Sequence, residues 1–265
     1  MSPFSLLTSH LWLAVALSAA VSVLAWLFRS LTRGGAVAAF LVGTIILAVG
    51  GWAGGVVLAV FFVGSSVAGR LAPEPSAALG AKGERRDGLQ VLANGGAAVL
   101  AMGLEWIRPG AGVWALSTSL AAAAADTWAT AAGAWNPSPP RLILTGRRVS
   151  HGTSGGITWY GSTGGLIGAA TVGAAAAMVF RTPILLPAAT GIGFLGMLLD
   201  SVLGASVQGR FRCPACGSLG ESRVHHCGSR AVRIGGWSWV SNDLVNIAAT
   251  LAAGFAGWLA WSWSS

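Results

Sequence analysis

Charge is what this sequence has least of. Only 9% of its 265 residues are charged, against 54% hydrophobic, and the mean hydropathy is +0.69. A soluble domain keeps about a quarter of its residues charged, so this composition excludes one and points to a polytopic membrane protein. Cysteine is nearly absent as well. Three occur, all within Cys213–Cys227, which is no basis for a disulfide framework. Residues 1–11 contain no Lys or Arg, and the first apolar run is followed instead by Arg29 and Arg33, so no cleavable signal is evident. No G-x-x-x-x-G-K-[ST] string occurs, which excludes a Walker A loop.

Glycine, by contrast, is abundant at 39 residues, as expected of helices that pack in lipid through small side chains. The thirteen tryptophans, including Trp106, Trp237, Trp239, Trp258, Trp261 and Trp263, read as interfacial belt residues. The expected fold is an all-α transmembrane bundle forming one domain over 1–265, with a cytoplasmic Cys/His-rich loop at 208–236. Eight spans are expected, near 10–28, 35–50, 52–69, 90–107, 111–134, 159–180, 184–206 and 238–262, each close to bilayer length. The uncharged run 36–69 is too long for one span, roughly 50 Å as a single helix. A hairpin at Gly50-Gly51 and Gly54-Gly55 divides it.

The net charge of +8 does not form a folded basic patch, so no nucleic-acid partner is expected. On this topology fourteen of the sixteen basic residues fall on one face, leaving Arg108 and Arg181 on the other. The basic face is then cytoplasmic, in a cell membrane, with both termini outside.

The polar residues inside the spans converge on that face. Gln90 and Asn94 begin the fourth span, and Asp126, Thr127 and Thr130 end the fifth. Asp200, Gly204 and Gln208 end the seventh, while Asn242, Asp243, Asn246 and Thr250 begin the eighth. Three carboxylates from three helices suit hard cations, and Mg²⁺ commonly takes one or two carboxylates plus substrate phosphates. The alternative is that each Asp merely caps a helix or pairs with an arginine. Residues 137–158 follow Asp126 in a Pro-rich basic loop. Arg141, Thr145, Gly152, Thr153, Ser154, Gly155 and Gly156 offer backbone N–H groups, hydroxyls and a guanidinium to phosphate oxygens. Read blandly, the same loop only ends a helix and orients it. Arg86, just before Gln90, is a further phosphate candidate or a topology signal.

Cys213-Pro214-Ala215-Cys216 followed by His225, His226 and Cys227 offers the four N/S ligands of a structural zinc site, with Cys213, Cys216, His226 and Cys227 as the set. A redox pair or incidental thiols are the other readings.

The strings QVLANGG, DTWATAAG, PRLILTGRRVSHGTSGG, DSVLGASVQ, RCPACG…HHCG and SNDLVN are similar to the integral membrane family that contains plant phytyl-phosphate kinase and animal transmembrane protein 19, a resemblance that runs from about Arg33 to the last span. A more distant likeness extends to phytol and dolichol kinases. The resemblance implies transfer of a phosphoryl group from CTP or UTP to a prenyl monophosphate lipid. It also implies a site at Gln90, Asn94, Asp126, Thr127, Arg141, Thr145, Gly152, Thr153, Gly155, Gly156, Asp200, Asn242, Asp243 and Asn246. Where that family often has Ser-Glu, this chain has Thr130-Ala131, so one acidic group is missing. The expected function is therefore a Mg²⁺-dependent prenyl-phosphate kinase at the cytoplasmic face. A nucleotidyltransferase making a CDP-lipid and a cation-coupled transporter are the rivals.

Overall fold

The computed structural model describes residues 3–73, 85–217, 219–220, 223–224 and 227–264. The described chain is mostly helical, with α1 (Pro3–Leu27), α2 (Arg33–Leu71), α3 (Gly88–Ile107), α4 (Ala111–Gly133), α5 (Trp159–Val179), α6 (Leu185–Ser206) and α7 (Asn242–Ser264). Four stretches are long and apolar enough to cross a membrane: α2, α5, α6 and Asn242–Trp263 of α7. A shorter apolar stretch lies at Leu11–Leu27 of α1. Residues 74–84, Lys82 among them, lie outside the described residues.

The helix α2 is two arms. At Gly51 the backbone turns to φ 59°, ψ −157°, a region essentially closed to side chains. Beyond the turn the chain doubles back: the Cβ position of Gly54 lies 3.3 Å from the Ile46 carbonyl oxygen. In a continuous helix eight residues span roughly 12 Å. At the far end Arg70 Nη2 donates to Phe28 O at 2.9 Å and to Ser30 Oγ at 2.8 Å, so the end of α2 lies beside its beginning. This is the hairpin expected from the glycine pairs.

The helices α3 and α4 occupy the places of the fourth and fifth expected spans but are less apolar, and burial explains why for α4. Every residue from Leu116 to Ala125 is buried, against α3, α5, α6, α7 and α2. A rod enclosed by its neighbours needs small residues for close approach, not lipid-facing bulk. The large apolar side chains point outward instead: Trp12, Leu41, Leu100, Leu166, Leu195 and Phe255 are all exposed, a surface that a water-soluble monomer rarely tolerates.

Polar caps close the helix ends. Asp87 and Gln90 form a capping box at the start of α3, with N···O distances of 2.9 and 3.0 Å. Thr32 accepts from Gly35 N, and Thr158 from Gly161 N. At the opposite end of the bundle Glu105 accepts from Gly110 N and Val113 N, satisfying the first donors of α4.

The connections are not wholly irregular, which departs from the all-α expectation. β1 (Arg141–Leu142) pairs antiparallel with β2 (Gly156–Ile157). After α6, β3 (Arg210–Arg212), β4 (Leu219–Gly220) and β5 (Val232–Gly235) form a sheet in the order β4-β3-β5. These loops need internal backbone partners because they are folded against the bundle end. The second sheet also delays the last helix, which begins at Asn242 and not near 238.

Candidate functional site

Asn94 from α3, Asp126 from α4, Asp200 from α6, and Asn246 and Thr250 from α7 line one cavity of about 10 Å³, together with Ala122, Ala123, Gly196 and Ala249. That is about the room of one water. Four helices therefore bring two carboxylates, two amides and a hydroxyl to one point. Asp200 and Asn246 are buried, and Asp126 and Asn94 half-buried.

Each side chain is set by local structure. Asn94 Nδ2 donates to Gln90 O at 2.9 Å, which turns its oxygen away from its own helix. Thr250 Oγ1 donates to Asn246 O at 2.8 Å and across to Ala93 O at 3.0 Å, pinning α7 to α3 beside the cavity. Asn246 Oδ1 is buried with no hydrogen-bond partner among the described residues, an unsatisfied acceptor of the kind that a cation or a donor resolves. Gly196 admits α4: its Cβ position lies 2.7 Å from Ala122 Cβ.

The third predicted carboxylate stands apart. Asp243 is buried in the first turn of α7, one turn before Asn246, and does not line the cavity. It is not the helix cap, because Ser241 Oγ accepts from Leu244 N at 3.4 Å. Asp126 and Asp200 lie well inside α4 and α6, so neither is an N-cap. Asn242, half-buried, opens α7. Ala131, where the acidic residue is missing, is itself buried.

The glycine loop reaches the site from a different direction than its sequence position suggests. It docks on α6: the Cβ position of Gly155 (φ +76°) lies 2.6 Å from the carbonyl oxygen of Ser201, next to Asp200, and closer still to Ala205 Cβ. Gly155 is thus bare so that the loop can meet the protein, and the neighbouring Gly156 is enclosed by Thr153, Pro140 and Val149. Gly152 turns the chain at φ +76°. Ser154, with Cβ 3.5 Å from the Gly204 Cβ position, and Thr153 are half-buried beside α6.

Other expected residues are placed elsewhere. Arg141 is exposed, and its Nη1 donates to Gly146 O at 2.9 Å, closing the turn that carries exposed Thr145. Thr127 Oγ1 donates back to Ala123 O at 2.9 Å. The Gln90 oxygen is committed to the capping box, which its D-x-x-Q spacing from Asp87 signals. The backbone of Arg86 is strapped to Ser30 and Thr32 by two 3.0 Å bonds. Burial lowers the pKa of its guanidinium, which nevertheless keeps its charge.

Five lining residues, Ala122, Ala123, Gly196, Ala249 and Thr250, are outside the predicted ligand set, although Thr250 is among the polar residues expected to converge on this face. For Thr250 the signal was its i, i+4 spacing from Asn246. Gln208, at the end of the Asp200 stripe, is almost wholly buried, and its Nε2 has no partner among the described residues. Its Oε1 lies 3.4 Å from the Gly204 Cβ position, beside Gly155 N.

The Sγ atoms of Cys213, Cys216 and Cys227 all lie within 4.8 Å of one another and could hold a metal. His225 and His226 lie outside the described residues.

The chain is similar to known membrane proteins. A plant protein, Protein PGR of Arabidopsis thaliana, is 27% identical over 272 residues, covering 91% of this chain and 93% of its own length. The uncharacterized membrane protein MJ0933 of Methanocaldococcus jannaschii is 31% identical over 182 residues, covering 67% of this chain and 74% of its own. No solved structure matches. The family described as integral membrane protein DUF92 matches residues 16–254, so the chain belongs to that family and is an integral, multi-pass membrane protein.

Proposed function

We propose that this protein is a prenyl-phosphate kinase, transferring the γ-phosphoryl group of CTP or UTP to a prenyl monophosphate in the membrane. The observation that carries the reading is the cavity in which Asp126 and Asp200 meet Asn94 and Asn246 from four helices. Ionisable groups inside a membrane bundle are costly and are retained for function. An acceptor phosphate oxygen attacks the γ-phosphorus, the new P–O bond forms, and the bond to the β-phosphate oxygen breaks to release CDP or UDP. The acceptor is already ionised at neutral pH, so no strong general base is required, and catalysis is positioning plus charge neutralisation.

Asp126 and Asp200 would hold Mg²⁺, which supplies neutralising charge to both phosphates, with Asn94 and Asn246 as neutral oxygen donors. Asp243, one turn nearer the bundle end, completes the acidic set. Ser154 and the Gly152–Gly156 loop, docked beside Asp200, face the nucleotide phosphates, with Arg86 and Arg141 as cationic partners. Among the described residues the α2 hairpin raises the count of rods to eight, which we read as eight crossings, and the excess of basic residues in the connections at one face supports a site facing the cytoplasm with both termini outside. The resemblance carried by the six sequence strings supports the substrate class.

The test is turnover of four γ-labelled nucleoside triphosphates with prenyl monophosphates by the purified full chain, with mass analysis of both products. A nucleoside diphosphate and a prenyl diphosphate are expected, whereas pyrophosphate and a CDP-lipid would replace the kinase with a nucleotidyltransferase. Asp126→Asn should lower turnover by at least about 100-fold while leaving insertion and the gel-filtration profile intact, and wild-type turnover in that variant would refute the metal role. The small size of the cavity favours one second reading, cation-coupled transport. Cation-dependent flux in proteoliposomes with no nucleotide turnover would select it.

A further inference from the structure

We propose that Cys213, Cys216 and Cys227 are three ligands of a structural zinc ion that holds closed the insert between α6 and α7. This rests on the thiol cluster alone and not on the phosphotransfer reading. The three Sγ atoms lie within 4.8 Å of one another, the spread of ligands around one tetrahedral ion with Zn–S distances of about 2.3 Å. The Sγ atoms of Cys213 and Cys227 are 3.6 Å apart, well beyond the roughly 2.05 Å of a disulfide.

The backbone is shaped for sulfur ligation. The N–H groups of Ala215 and Cys216 are directed at the Cys213 sulfur. Both Cys216 and Cys227 are followed by a glycine of positive φ, Gly217 at +75° and Gly228 at +83°, so each ligand sits at a reversal of the chain. Thiolates select zinc over the oxygen-seeking cation proposed for the carboxylates. Three thiolates leave one position of the tetrahedron to a further donor.

The position of the ion would give it a mechanical role. Cys213 directly follows β3, and β3 pairs with β5. At the base of the insert, Trp237 N donates to Val207 O at 2.8 Å and Gly209 N to Val240 O at 3.0 Å. The same ladder that starts at the thiols therefore ends where α6, bearing Asp200, and α7, bearing Asn246, are held side by side.

The experiment is elemental analysis of the detergent-purified full chain after dialysis, with about one zinc per chain expected. Cys216→Ser and Cys227→Ser change exposed side chains and should each lose the zinc, which covers the case in which buried Cys213→Ser fails to fold. Exchange into cobalt should give a thiolate-to-cobalt charge-transfer band that weakens with each cysteine removed. Stripping the metal should expose residues 208–236 to protease while the helices stay protected. Zinc-free protein whose three thiols all react at once with maleimide would overturn the proposal. So would a Cys213–Cys227 disulfide in protein purified without reductant, which would assign a redox pair instead.

Discussion

At the scale of single residues, a few polar atoms set the geometry of the cavity. Thr250 is the clearest case, because its hydroxyl reaches from α7 to the Ala93 carbonyl on α3 at 3.0 Å in a buried position. Replacing it with valine keeps the shape and removes the bond, at a cost of about 1 kcal/mol. Thr250→Val should therefore lower the thermal midpoint of the purified protein by a few degrees. Thr171→Val should not, since the hydroxyl of half-buried Thr171 bonds within its own helix, to Ile167 O. An unchanged midpoint in Thr250→Val would mean that the α3–α7 contact does not depend on this hydroxyl. The aspartates were legible as site candidates because a carboxylate in an apolar run is costly and rarely kept without a function. Asp243 shows the limit of that logic, since its helix is right but its register keeps it out of the cavity lining.

At the scale of elements, the turn at Gly51 decides how α2 is used. The conformation φ 59°, ψ −157° is open to glycine and strained for any other residue, and nothing lies within 4 Å of its Cβ position. Gly51→Ala should thus destabilise by about 1–3 kcal/mol through backbone strain alone. Gly103→Ala, equally free of neighbours but inside α3, should be neutral or stabilising, because alanine is the better helix former. Thermal unfolding of the two variants checks the contrast, and equal midpoints would argue against a tight turn at Gly51. The break was readable from the length of the uncharged run. The docking of the glycine loop was not: Gly155 follows Asp126 in sequence, yet its contact is with Ser201 and Ala205, about fifty residues further on.

At the scale of the whole molecule, Arg70 and Arg86 stand together at one end of the bundle. Arg70 beside Ser30, Arg86 beside Thr32, Gly155 beside Ala205 and Val240 beside Gly209 bring four connections to that end. Gly110 against Trp261 marks the other. With that end cytoplasmic and eight crossings, an alkaline phosphatase fused after Ser265 should be active and a green fluorescent protein dark. A fluorescent fusion would invert the topology and place the carboxylate cavity on the outer side.

The sequence by itself determined the class of the protein, the helical segments, the hairpin and the identities of the acidic and thiol residues. Hydropathy, charge segregation and glycine act locally and leave their mark in composition and spacing. Only the tertiary structure decided that α4 is the enclosed rod, that Asp126 and Asp200 share a cavity with Asn94, Asn246 and Thr250, and that the glycine loop docks on α6. Which faces of apolar helices meet depends on close approach between small side chains of distant segments, and no periodicity within one helix records its partner.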